Sequence, residues 1–165
     1  MTLDVLGDGP MAGALAAQSA DLGEAVQLRG PVPHEKVQQA MREADILIFP
    51  SVREFGGGVV LEAMAMGCVP LVVDYAGPGE LVDKQTGLKV PIGTRPEIVT
   101  WLRSELGRGL AAPEQLAPLS QSGMARARDD FTWAAKARQV REVYDWVLSG
   151  VEGRPPVPLL PSGSR

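Results

Sequence analysis

Along the first ninety residues, short apolar runs alternate with longer segments of helical period. Residues 2–6 form a strand-like run cut off by Gly7-Asp8-Gly9-Pro10. Residues 12–22 are alanine-rich and end at Gly23, the pattern of a helix and its stop. Residues 25–29 read as a second strand, followed by the loop Gly30-Pro31-Val32-Pro33. In residues 34–44 apolar side chains recur at Val37, Ala40, Met41 and Ala44, one face of a helix. The run "ILIF" within residues 45–50 is continuous and apolar, as in strands buried on both faces of a parallel sheet. Residues 59–66 form an apolar helix stopped by Gly67, and residues 69–73 another buried strand. A short helix or turn over 77–83 and a last short strand over 88–91 complete the alternation.

The second half changes character. Thr94-Arg95-Pro96-Glu97 is a capping-box pattern that opens a helix to about Leu106, and residues 107–113 read as a loop. Residues 114–130 are mostly helical, with breaks expected at Pro118 and Gly123. Thr132 can cap a final helix to about Leu148, with Trp133, Ala137, Val140, Val143, Tyr144 and Val147 as its apolar side. Trp101, Trp133 and Trp146 read as packing residues. From Gly150 the composition shifts to Pro, Gly and Ser, which cannot pack a core, and residues 150–165 are expected to be a disordered tail.

Strands alternating with helices give an α/β fold, a Rossmann-like, mostly parallel sheet with flanking helices. Ligands in such sheets bind beyond the carboxyl ends of the strands. The informative loops therefore follow Leu6, Arg29, Phe49 and Val73. Composition narrows the chemistry. A net charge of −4 with no basic run argues against bulk nucleic-acid binding. A single cysteine, Cys68, excludes an internal disulfide and a cysteine-based zinc site, and fits a reducing, cytoplasmic setting. No apolar run is long enough to span a bilayer, while a peripheral membrane role stays open. Asp4, Asp8 and Asp21 lack metal-ligand spacing, so no metal site is expected.

The stretch "REFGGGVVLEAMAMG" carries the sharpest signal. A glycine-rich loop entering a helix N-terminus presents free amides and a positive dipole end, which suits a diphosphate. Gly56, Gly57 and Gly58 let a ligand touch the backbone. Glu54 sits in the loop and Glu62 about one turn into the helix. Carboxylates accept from paired hydroxyls, so the pattern is shaped for a phosphate flanked by two polyols, a nucleotide sugar. The bland alternative makes Glu54 a helix cap and Glu62 a solvated charge. Around Glu62, however, Val59, Val60, Leu61, Ala63, Met64, Ala65 and Met66 leave almost no polar face. "DYAGPGE" adds Gly77, Gly79 and Glu80 near another short helix start, which could bring further amides to the same phosphate or simply be a tight turn.

A rival lies in "GDGPMA", residues 7–12, which fits the G-x-G-x-x-A spacing of a dinucleotide fingerprint, with Arg29 where a ribose or 2′-phosphate reader should stand. It would make the chain an NAD(P)-binding domain, and it leaves Glu54, the triple glycine and Glu62 unexplained. His34 is best read as an exposed residue at a helix start and Cys68 as a small core residue.

"DVLGDGPM", "VQLRGPVPHEKV", "ADILIFPSVREFGGGVVLEAMAMGCVPLVVD", "AGPGELV" and "TGLKV" occur in that order, and together they resemble the carboxyl-terminal, donor-binding domain of a family 4 (group 1) glycosyltransferase of the GT-B fold. The resemblance spans residues 3–148 and makes residues 1–149 a nucleotide-sugar-binding domain. It implies transfer of a glycosyl unit from a nucleoside-diphosphate sugar to an acceptor hydroxyl, with retention and without an essential metal or cofactor. It assigns Glu54 to the hydroxyls of the transferred sugar, as the catalytic-site acid, and Glu62 to the ribose. Gly56, Gly57, Gly58 and Val59 would supply amides to sugar and diphosphate. Gly77 and Glu80 match a later donor element, and residues 30–32, ending at Val32, would lie by the nucleobase. A non-catalytic nucleotide-sugar-binding fragment is the alternative of another class.

Two departures qualify the resemblance. The family order Gly-Phe-Gly after the first glutamate is here Phe55-Gly56-Gly57, so the aromatic ring is expected to find a different packing partner. Family members also carry a strand and helix ahead of "DVLGDGP", with an arginine and a lysine that clamp the diphosphate, and an amino-terminal acceptor domain. The chain begins after them. It is therefore expected to be a truncated domain with weakened donor binding and little transfer activity of its own. The absent strand would be the central one. The first and third strands present would then pair directly or leave a slot open to self-association.

Overall fold

Strands and helices alternate as the hydrophobic spacing requires. The computed structural model describes residues 1–150, so the tail expected over 150–165 lies, beyond Gly150 itself, outside the described residues. In chain order the elements are β1 (Leu3–Leu6), α1 (Ala12–Ser19), β2 (Val26–Gly30), α2 (His34–Glu43), β3 (Ile46–Phe49), α3 (Gly58–Ala65), β4 (Val69–Val73), α4 (Ala76–Leu81), β5 (Leu88–Val90), α5 (Arg95–Ala111), α6 (Leu116–Asp130) and α7 (Trp133–Ser149). The result is a mixed α/β fold whose strands all pair in parallel. Two compact units result, Met1–Ala40 and a second beginning at Met41.

In the first unit, β1 and β2 pair from Leu3 opposite Val26 to Leu6 opposite Gly30. Gly7, at φ 119°, donates its amide to the Gly30 carbonyl at 2.8 Å and turns the chain out of β1. No residue of α1 is buried. A 3-10 turn over Ala20–Ala25 follows it, and Gly23 at φ 52° breaks the helical path.

In the second unit the sheet order is β3-β4-β5. Every residue of β4 is buried, as its unbroken apolar sequence requires. Its side chains alternate between two cores. Val72 joins Val60 and Met64 of α3, Leu81, Val82 and Ala127 of α6 on one face. Leu71 and Val73 join Val90 of β5 and Ile98 of α5 on the other, flanked by Trp101, Leu102 and Leu106. Helices thus cover both faces of the sheet, which holds the carboxyl ends of β3 and β4 rigid under the loops that follow them.

The structure corrects several expectations. β3 is half-buried at all four positions rather than fully buried, because it lies at the edge of its sheet. α5 runs through residues 107–111, where a loop was expected. Gly109 is tolerated there because its bare backbone meets Ile46; a Cβ would lie 3.3 Å from that side chain. α6 is unbroken. Pro118 stands in its first turn, where a missing N–H costs nothing, and Gly123 is buried against Met64 and the Thr86 carbonyl. The final helix forms with Thr132 Oγ1 accepting from the Ala135 amide at 3.2 Å. Its expected apolar side is not buried, however: Trp133, Val140, Tyr144 and Val147 are exposed, and only Ala135 is buried. Helical period locates an apolar stripe but does not say what covers it. No helix among the described residues is long and apolar enough to cross a membrane.

Gly107 sits inside α5 with no atom within 4 Å of where a Cβ would be. Gly107→Ala is therefore expected to stabilise the second unit by roughly 0.5–1 kcal/mol, read as a higher urea midpoint.

Candidate functional site

β3 delivers the chain to residues 50–57, and α3 takes it away. The turn between them needs a left-handed residue, and Gly57 supplies it at φ 63° as the N-cap of α3. No side chain caps α3 in the ordinary way. Instead Glu54 folds back over the loop. Its Oε1 accepts from the amides of Gly56 and Gly57, each at 3.1 Å. One carboxylate oxygen therefore sits on two converging amides at the positive end of a helix, the arrangement that binds an anionic oxygen.

The loop rests on α4, and two glycines, Gly77 and Gly57, make the contact. A Cβ on Gly77 would overlap the Phe55 carbonyl oxygen. A Cβ on Gly57 would lie 3.2 Å from both Pro78 and Leu81. Gly79 packs against the Asp74 backbone in the same way. Gly77 thus serves the site by close backbone approach, a role the bare spacing of "DYAGPGE" left open. Gly58, like Gly56, has open space beside it, since its Cβ would meet nothing within 4 Å. It leaves the start of α3 open to solvent.

Glu62 is half-buried on α3, and Val59 is half-buried at its first turn. Between Val60, Ala63 and Met64, which form the core side of the helix, Glu62 keeps to the opposite, accessible margin. Glu80 is exposed near the end of α4, and its carbonyl accepts from Arg126 Nη2 at 3.4 Å. Glu54, Gly56, Gly57, Gly58, Val59, Glu62, Gly77 and Glu80 thus all belong to the second unit, on one loop and two neighbouring helices. Val32 belongs to the first unit, half-buried in the loop after β2. Phe55 departs from expectation: it is 97 % exposed, and its ring has no packing partner among the described residues. Its carbonyl is fixed against Gly77, which leaves the side chain outward.

The residues set aside by the sequence behave simply. His34 is exposed at the start of α2, with Gln38 Nε2 3.1 Å from its Nε2. Burial pushes the Cys68 thiol up to about 11, so it stays protonated near neutrality and is a core residue. In the first unit, the Gly7–Gly13 turn borders an open, mainly apolar cavity of about 710 Å³. Arg29 there is paired with Asp4 at 2.9 Å. No group of three or more His, Cys, Asp or Glu residues could hold a metal among the described residues. Sequence reasoning missed Arg126, the buried cation of α6, because nothing in "MARARDD" separates it from the exposed Arg128.

The family model described as "Glycosyl transferases group 1" matches residues 1–104, a span that includes both "GDGPMA" and the whole Glu54–Glu80 region. D-inositol 3-phosphate glycosyltransferase of Thermobispora bispora is 32% identical over 145 residues, covering 87% of this chain and 33% of the relative. Alpha-maltose-1-phosphate synthase of Mycolicibacterium smegmatis is 32% identical over 120 residues, covering 71% of this chain and 31% of the relative. The chain therefore spans about one third of these relatives. Among solved structures, sucrose-phosphate synthase from Thermosynechococcus elongatus aligns with a TM-score of 0.70 at 26% identity, over 91% of this chain and 39% of that one. Anabaena HepE, solved with UDP-glucose, aligns with a TM-score of 0.67 at 23% identity, over 91% of this chain and 41% of that one, a likeness of fold.

Gly77→Ala must displace the Phe55 carbonyl and is expected to destabilise by roughly 1–3 kcal/mol. Gly58→Ala meets open space and should leave the urea midpoint unchanged or slightly raised. Equal losses from both would show that α4 does not press on the loop.

Proposed function

The chain belongs to the glycosyl transferases group 1 family, and on that premise we propose that its second unit holds the nucleoside-diphosphate sugar of a retaining glycosyl transfer to an acceptor hydroxyl. Transfer is assigned to the whole protein, of which these residues are the donor-holding part. The observation that carries the proposal is the carboxylate of Glu54 seated on the Gly56 and Gly57 amides at the start of α3. That receptor accepts an anionic oxygen, and a diphosphate oxygen is chemically similar to the one it holds.

In this proposal the diphosphate takes the amides of residues 56–58, and Glu54 moves off them to accept from hydroxyls of the transferred sugar. Glu62, one turn into α3, accepts from the ribose hydroxyls. As the bond to the anomeric carbon breaks, negative charge grows on the leaving diphosphate, and the amides and the α3 dipole stabilise it. Gly58 lacks a side chain so that the phosphate can approach the backbone. Val32 and Glu80 are proposed as further donor contacts, at the nucleobase and on α4. Family resemblance implies no essential metal, so none is given a role. A cytoplasmic location and self-association through unpaired strand edges belong to the same proposal. A nucleotide-sugar-binding protein without transferase activity would use the same residues.

Calorimetric titration with UDP-, GDP- and ADP-sugars, the matching nucleoside diphosphates and NADPH tests this. Glu62→Ala should weaken nucleotide-sugar binding about ten- to a hundredfold, as lost hydrogen bonds of about 1.5–3 kcal/mol predict, with the fold retained. Glu54→Ala should weaken the nucleotide sugar while leaving the bare diphosphate unchanged or tighter, because a competitor for the amides is gone. Binding of NADPH alone, unaffected by either substitution, would sink the proposal.

A further inference from the structure

α4 is the platform on which the glycine loop rests, and two cations grip its far end. Lys89 of β5 donates Nζ to the Gly79 carbonyl at 3.2 Å and to Asp74 Oδ1 at 2.8 Å. Arg126 of α6 donates Nη2 to the Glu80 carbonyl at 3.4 Å and Nη1 to Asp83 Oδ2 at 2.8 Å. The two carbonyls are consecutive and belong to the last turn of α4, where the helix dipole favours positive charge. Each cation is matched by a carboxylate, so the grip adds no net charge.

Arg126 is the more committed of the two. Its side chain is 6% exposed, and its guanidinium lies 5.8 Å from the centroid of the Phe131 ring. Its Nε is buried with no hydrogen-bond partner among the described residues. Burying a guanidinium with one N–H unpaired is unfavourable, and an apolar side chain of similar reach would fill the space without that cost. What only arginine supplies is a planar fork that fixes a carboxylate and a carbonyl together. The carboxylate is itself immobilised: Asp83 Oδ1 accepts from the Gln85 amide at 2.8 Å and from Thr86 Oγ1 at 3.0 Å. The exit from α4 is thereby tied to α6 at two points.

α4 hands this placement to the loop by direct contact. Gly77 lies against the Phe55 carbonyl, and Gly57 against Pro78 and Leu81. A small rotation of α4 would move the loop backbone that carries the Gly56 and Gly57 amides. We infer that Arg126, with Lys89 in a lesser part, is a positioning residue for the Glu54–Gly58 loop, acting through α4. The effect on ligand rests on the donor-site proposal; the effect on the loop does not.

The test uses the 165-residue chain labelled with ¹⁵N. Backbone order parameters at residues 56–58 and UDP-glucose affinity are measured for wild type, Arg126→Met, Arg126→Lys and Ile98→Ala. Ile98 lies in the other core, on the α5 face of the sheet, so it controls for general destabilisation. In Arg126→Met the order parameters should fall from about 0.85 to below about 0.6, and UDP-glucose should bind at least tenfold more weakly. Arg126→Lys should fall between. Ile98→Ala should lower the melting temperature and leave both readouts near wild type. If Arg126→Met does not fold, Arg126→Lys carries the comparison. Unchanged loop order in the arginine variants, or equal loosening by Ile98→Ala, overturns the inference. If wild type binds none of UDP-, GDP- and ADP-glucose or GDP-mannose, titrated alongside, the donor proposal fails, and loop order alone decides the role of Arg126.

Discussion

The approach of two backbones, Gly77 of α4 against the carbonyl of Phe55, constrains everything else at this site. A side chain at Gly77 would push the loop away from α4. Gly57 could not then take its left-handed cap position against Pro78 and Leu81. Without that cap the Gly56 and Gly57 amides would not converge, and Glu54 would have nothing to fold onto. The glycine-rich sequence is therefore a requirement of packing, to which the donor-site proposal adds ligand access. Gly57 and Gly77 answer to packing, whereas Gly58 faces open space, where the proposed ligand would approach.

Burial explains why such a loop can be held still. β4 is buried throughout, with Val72 in one core and Leu71 and Val73 in the other. Met64 and Val60 anchor α3 to that strand, and Leu81 anchors α4 to the same core. Function is placed on loops carried by rigid elements. Here the rigid element is a strand with helices on both sides, and the polar grips of Lys89 and Arg126 are added where α4 is too short to hold itself. A six-residue helix has little cooperative stability of its own.

Much of this was legible in the sequence, for definite reasons. β4 was readable because "VPLVV" has no polar position, and α5 began where Thr94 and Glu97 announced it. Glu54 and Glu62 stood out because acids are rare in a run as apolar as "GGGVVLEAMAM". Other features depend on distant contacts that periodicity does not encode. Gly107 and Gly109 looked like a loop, yet α5 passes through them because Ile46 packs against the bare backbone at Gly109. Pro118 looked like a break, and its position in the first turn of α6 removes the conflict. The stripe of α7 was visible as apolar, but its exposure was not, since a helix does not carry its partner in its own sequence. Arg126 was invisible for the same reason, because burial and Asp83 give it meaning.

The central claim is that a nucleotide sugar lies over the start of α3. The most direct measurement is an amide chemical-shift map of the ¹⁵N-labelled chain as UDP-glucose, GDP-mannose or ADP-glucose is added. The account predicts that the largest shifts fall on the amides of residues 56–58, with smaller ones along α3 to Glu62. Saturable shifts centred on the Gly7–Gly13 turn, with residues 56–58 unmoved, would contradict it.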